Sequence, residues 1–172
     1  MADFLPAFEA MIRDEGGYQM HNVPGDRGGQ TYAGIARNFN PGWEGWEFVD
    51  RGETPPTSKV RNWYHTNYWL PIAGDHLIHQ AVASSIFNFA VNSSAPGRPT
   101  VAVKLAQLVA GSTPDGSLGS RSVAALNAMD PEKFVMAYAL AKIARYRDIV
   151  TNDRTQMKFM LGWVNRTLKD AA

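Results

Sequence analysis

Two carboxylates and a hydroxyl, Glu15, Asp26 and Thr31, fall within one short stretch near the start of the chain. Upstream of Glu15 the apolar residues Phe4, Leu5, Phe8, Met11 and Ile12 recur at the spacing of one helical face. Glu15 follows Met11 by four residues and Ile12 by three, so it shares that face, whereas Asp14 and Glu9 leave it. A carboxyl on a buried face costs free energy unless it is paired or protonated. Held protonated, it suits a general acid working near neutral pH. The alternative is a structural ion pair with an arginine, and spacing alone leaves both open. Asp26 sits in a polar, glycine-rich segment. There it either stays ionised as a second reacting group or hydrogen-bonds its own turn.

The elements around these residues follow from the same patterning. A helix over about 3–15 takes Asp3 as its N-cap and tolerates Pro6 in its first turn. Gly16-Gly17 ends it. Pro24-Gly25, Gly28-Gly29 and Gly34 break regular structure, and Gln30-Thr31-Tyr32 reads as a short strand paired with Gln19-Met20. Residues 35–43 are expected to hold one helical turn, ended by Pro41-Gly42, before an aromatic-rich stretch from Trp43 to Val49. Thr57-Ser58 caps a helix to about Leu70, with Val60, Trp63, Tyr64, Asn67 and Tyr68 at helical spacing and Pro71 as its stop. Residues 75–92 are expected to form the central buried helix. Further helices follow over about 100–109, 120–129, 131–150 and onward to Leu168. In the long one, Asp130-Pro131 is the cap and Phe134, Ala137, Tyr138, Ala141 and Arg145 are in register. The chain therefore reads as mainly α, with one small non-helical excursion at 19–35.

At 172 residues, with 45% apolar and 19% charged side chains, the sequence has the size and balance of one globular unit, with room for a small appended lobe. Lys and Arg total 17 against 16 for Asp and Glu, so there is no basic excess to draw nucleic acid. With no cysteine, disulfides and thiolate metal sites are excluded. The first residues lack a basic segment and a long apolar run, so neither a signal peptide nor a membrane-spanning helix is expected. His76 and His79 flank a helical turn beside Asp75 without an evident third ligand, and Asp115-Gly116 has too few acidic neighbours for a calcium loop. No metal or cofactor is expected. Arg145 and Arg147 belong to a solvated face or supply a partner for Glu15.

Glu15-Gly16-Gly17-Tyr18, followed by Asp26-Arg27-Gly28-Gly29-Gln30-Thr31-Tyr32-Ala33-Gly34-Ile35, resembles the opening of the glycoside hydrolase family 108 muramidases. These are phage-type endolysins and related bacterial proteins. Weaker likenesses run on through Tyr68-Trp69-Leu70-Pro71, Phe87 to Ser93, and Asp115 to Ser122. The last resembles a peptidoglycan-binding-like region, in which an Asp-Gly-x-x-Gly turn opens a helix. Asn88 and Ser94 depart from the family pattern, which would have Asp and Gly there.

The resemblance implies a lysozyme-like fold, mainly α with a very small β-hairpin near the catalytic glutamate. It implies a catalytic region over 1–92 and a peptidoglycan-binding-like helical region over 93–172, packed as one compact unit. It implies an antimicrobial, cell-wall-lysing activity that cleaves the glycosidic bond after N-acetylmuramic acid. By the same resemblance Glu15 is the general acid, and Asp26 with Thr31 positions water. Such chemistry needs an acid at the leaving oxygen and a second group on the other face of the sugar. The separation of the carboxyls would decide between inversion and retention. Tyr18, Tyr32, Trp69, Asn88 and Asn92 are the expected glycan contacts, with Tyr18 and Trp69 foremost because flat sugar faces stack on aromatic rings. Trp43, Trp46 and Trp63 are expected to be packing residues. The implied partners are peptidoglycan glycan strands and a holin or secretion system that delivers a monomer, made in the cytoplasm, to the periplasm or beyond. The competing expectation is a non-catalytic wall-binding or secretion-associated protein of the same fold.

Overall fold

A computed structural model of the chain describes residues 1–22 and 27–171. The first helix, α1 (Phe4–Asp14), starts at Asp3, whose Oδ1 accepts the Leu5 N–H at 3.0 Å. It buries Phe4, Ala7, Phe8, Met11 and Ile12. Its end is a paired reversal. Gly17 N–H donates to the Ile12 carbonyl at 2.8 Å, and Gly16 N–H donates to that of Arg13 at 3.3 Å. Both glycines have positive φ, so this is the left-handed cap that leaves Glu15 as the last residue before the chain turns.

The reversal leads into an antiparallel sheet of three two-residue strands, β1 (Met20–His21), β2 (Thr31–Tyr32) and β3 (Ile35–Ala36), in the order β1-β2-β3. Met20 opposes Tyr32, and Thr31 opposes both His21 and Ala36. Residues 35–36 are thus a strand, where sequence spacing suggested a helical turn. The two-residue link Ala33-Gly34 has φ of 49° and 79°, the geometry of a tight hairpin turn. The Tyr64 hydroxyl, from the third helix, donates to the Ala33 carbonyl at 3.0 Å and holds that turn. A Cβ on Gly34 would lie 2.5 Å from the same hydroxyl oxygen. Gly34→Ala is expected to cost about 1–3 kcal/mol, combining a left-handed φ with a clash that evicts Tyr64. A denaturant midpoint unchanged from wild type would overturn this.

A short helix α2 (Trp46–Asp50) follows, then α3 (Thr57–Tyr64). The segment His65–Trp69 continues α3 as a π-helical turn, and Leu70–Ile72 and Gly74–His76 are 3-10 turns. The central helix α4 (Gln80–Ser93) buries Val82, Ala83, Ser85, Ile86, Phe87, Phe89 and Ala90. Against it pack α5 (Thr100–Val109) and the long α7 (Pro131–Asn152), with α6 (Ser120–Ala128) set against α5 and α8 (Met157–Asp170) laid along α7. Asp130 caps α7 by accepting the Lys133 N–H at 2.9 Å, with Pro131 in the first turn. The turn before α6 is built on buried Gln107. Its Nε2 donates to Asp115 Oδ1 at 2.7 Å, and its Oε1 accepts the Gly116 N–H at 2.9 Å.

One hydrophobic core runs from α1 through α4 to α7, from Phe4 and Phe8 to Phe134 and Tyr138. The fold is mainly α and lysozyme-like, with its small sheet beside the end of α1. No helix among the described residues is long and apolar enough to cross a membrane.

Candidate active site

Glu15 is half-buried at the end of α1, and its side chain has no hydrogen-bond partner among the described residues. The charge of Glu15 reaches two tyrosines of the α3 segment. Burial raises the Tyr64 hydroxyl far above its ordinary value, and the Glu15 charge adds to the shift. The same two causes push Tyr68 up to about 12. Because Tyr64 also grips the β2–β3 turn, one ring ties the sheet carrying Thr31 to the neighbourhood of Glu15. Thr31 is partly buried on β2, and among the described residues its hydroxyl makes only a long contact to the Gly29 carbonyl, at 3.4 Å. Asp26 lies outside the described residues.

These tyrosines give a pH expectation. Tyr64, Tyr68 and buried Tyr138 all have folded pKa values raised by burial above the ordinary tyrosine value of 10.0. Each contributes stability that is complete below pH 10 and is lost as pH rises through the folded value. Lys142, lowered by burial, acts in the opposite sense and regains stability as pH climbs toward its ordinary 10.5. Three rings outweigh one ammonium, so stability should fall from about pH 10 to 12. Apart from the contribution of exposed Tyr18, tyrosinate absorbance should then appear together with unfolding; full tyrosinate absorbance in a protein that stays folded would contradict this.

On the other side of Glu15 a small cavity of about 10 Å³ is lined by Met11, Asp14, Asn88, Asn92, Arg166 and Asp170. It holds about one water and no sugar ring. The structure thus brings Asn88 and Asn92 to Glu15, but as a wall shared with α8. Asn88 Nδ2 donates to Asp170 Oδ1 at 3.4 Å, and its own Oδ1 is buried without a partner among the described residues. An aspartate at position 88 could not make that donation and would face the Asp170 carboxylate, so the departure to Asn suits this neighbourhood. Exposed Asn92 donates to the Asn88 carbonyl at 2.8 Å and accepts from Arg166. Sequence patterning left Arg145 and Arg147 either to a solvated face or to Glu15; it is Arg166 of α8 that lines the cavity with Glu15. Sequence spacing missed Tyr64, Tyr68, Arg166 and Asp170 as neighbours of Glu15, although Tyr64 and Tyr68 were legible as a helical pair.

The aromatic expectations divide. Tyr18 is 39% exposed, directly after the glycine reversal, where a glycan can reach it. Trp69 is corrected: it is 0% exposed, packs against Phe4 and Phe87, and donates from Nε1 to Asp75 Oδ1 at 2.7 Å. The π-helical turn rotates it into the core, so it cannot stack on a sugar. Tyr32 is corrected too. Its ring is buried against Trp43 at 6.0 Å, and its hydroxyl has no partner among the described residues. Trp43 and Trp46 are buried as expected, and Trp63 is half-buried.

The family model described as Glycosyl hydrolase 108 matches residues 8–94, half of the chain, from α1 through the sheet to the end of α4. The chain belongs to this family. A second model, Predicted Peptidoglycan domain, matches residues 101–168, from α5 into α8. The chain is similar to the structure of SagA from Brucella abortus, with 27% identity, a TM-score of 0.72 and coverage of 98% of this chain and 91% of that one. No curated protein matches it. This glycosyl hydrolase 108 member is therefore a peptidoglycan hydrolase, with peptidoglycan as its partner. Arg166, from the peptidoglycan-domain match, lines one cavity with Glu15, from the hydrolase match.

Proposed function

We propose that the chain is an N-acetylmuramidase that cleaves the β-1,4 bond between N-acetylmuramic acid and N-acetylglucosamine. The observation that carries this is Glu15 itself: a half-buried carboxyl with no hydrogen-bond partner among the described residues, fixed at the end of α1 by the glycine reversal. A carboxyl with no fixed donor or cation is available to protonate a leaving oxygen. Asp26 and Thr31 are assigned to the opposite face of the sugar, where Asp26 deprotonates a water that Thr31 helps orient. Exposed Tyr18 and Asn92 flank the strand. The region over 93–172 works as part of the same compact unit.

This reading sets the protein's work at the cell wall, as a monomer reached through a holin-type pore or a secretion system. The deciding experiment treats purified peptidoglycan with wild type and with Glu15→Gln, and analyses the fragment ends. Reducing N-acetylmuramic acid ends, absent with the variant, support the muramidase. Anhydromuramic ends would replace hydrolysis by transglycosylation, and folded wild type that pellets with walls without cutting them would overturn catalysis.

A further inference from the structure

A second concavity lies along the α3 segment. Lys59, Asn62, Trp63, Thr66 and Asn67 form one helical stripe that faces the loop at Trp43, and between them is a groove of about 300 Å³. That volume is at the low end for small-molecule sites and matches a single sugar unit better than a longer ligand. Trp43 is fixed there by its Nε1 contact to the Lys59 carbonyl at 3.4 Å. Trp63 is half-buried, so part of its indole stays open to the groove.

The polar groups are arranged for a neutral ligand rich in hydroxyls and amides. The side chains of Asn62 and Thr66 are exposed and have no hydrogen-bond partner among the described residues. Asn67 Nδ2 donates to the Trp63 carbonyl at 2.9 Å, which orients its oxygen as an acceptor. At the rim Lys59 is already paired with Glu44, so among the described residues the groove has no free cation for a phosphate or a carboxylate polymer. An indole beside an amide and a hydroxyl is the composition that packs on a sugar face while bonding its substituents.

The groove is linked to the surroundings of Glu15 by ring contacts. The Trp63 ring meets Tyr64 edge-on at 4.9 Å and Tyr68 at 5.7 Å, and those are the two rings that the Glu15 charge reaches.

We propose that the groove is a distal glycan subsite, which holds an N-acetylated sugar of the strand that Glu15 cuts. Trp63 supplies the apolar platform, and Asn62 and Thr66 bond the ring substituents. This rests on the reading of the substrate as a glycan strand. The test is binding of peptide-free peptidoglycan glycan strands of increasing length to the Glu15→Gln protein, with and without Asn62→Ala and Thr66→Val. Both positions are exposed on a helix, so the double variant should fold normally, which a thermal melt checks. In the parent, affinity should rise as the strand becomes long enough to reach the groove. In the double variant that rise should vanish, roughly a tenfold loss for the long strands from two neutral hydrogen bonds, with short strands unaffected. A general structural defect would weaken every length alike. A length dependence that persists in the double variant, or is absent from the parent, overturns the subsite. Because binding is read without cleavage, wild type that failed to hydrolyse walls would sink the muramidase reading while leaving this measurement to judge the groove.

Discussion

Glu15→Gln should lower the rate of wall clearing by about 10²- to 10⁴-fold, the span that a positioned general acid contributes. The amide keeps the size and polarity of the side chain but has no proton to give a leaving oxygen. Stability should barely change, because the carboxyl is half-buried and makes no hydrogen bond or ion pair among the described residues. The helix end is held instead by backbone bonds to Gly16 and Gly17, which the substitution leaves alone. Turbidity loss of purified walls, read beside a thermal melt, checks both halves. A folded variant that still clears walls at more than about a tenth of the wild-type rate would remove Glu15 from the acid role.

The second large effect is on stability and comes from α8. Lys142 is 1% exposed in the middle of α7, with the Tyr138 and Phe89 rings 4.8 and 5.4 Å from its ammonium. It donates to Ser85 Oγ at 3.2 Å and to Asp170 Oδ2 at 3.1 Å. Burial lowers its pKa, and Asp170 opposes that shift. Asp170→Ala leaves a buried ammonium with one neutral partner, and breaking such a pair costs about 3–5 kcal/mol. Replacing both partners, as Lys142→Met with Asp170→Ala, removes the charge that needs compensation and should recover most of the loss. Urea unfolding of the two variants is the check. A single variant within about 1 kcal/mol of wild type would mean that the pair does not hold α8 down. The single variant should also impair wall clearing, since Asp170 lines the same cavity as Glu15.

Much of the scaffold was legible because its signals are local. Asp3 and Asp130 cap the helices that their spacing predicts, and the glycine pair after Glu15 makes the expected reversal. What could not be read depends on contacts between distant parts of the chain. Lys142 follows Tyr138 by four residues, so helical spacing does set it beside the buried face; what spacing could not supply is its partner Asp170, which arrives from α8. Arg166 and Asp170 reach the Glu15 cavity by the same packing, and no sequence period links residue 15 to residue 170. Trp69 was misplaced for a different reason. In an α-helix a residue five positions after Tyr64 sits roughly 140° round the axis, away from the buried face. The π-helical turn at His65–Trp69 closes over more residues, so Tyr64, Tyr68 and Trp69 all turn inward.

That turn has a consequence for how related sequences should be aligned. It carries one residue more than the α-turn it replaces, which is the trace an inserted residue leaves inside a helix. Aligned without a gap, a relative lacking it would match Trp69 to a surface position and shift every later landmark by one. The gap belongs within residues 65–69. Placed there, it restores Lys59, Asn62, Trp63 and Tyr64 on one side and the central helix on the other to their proper columns.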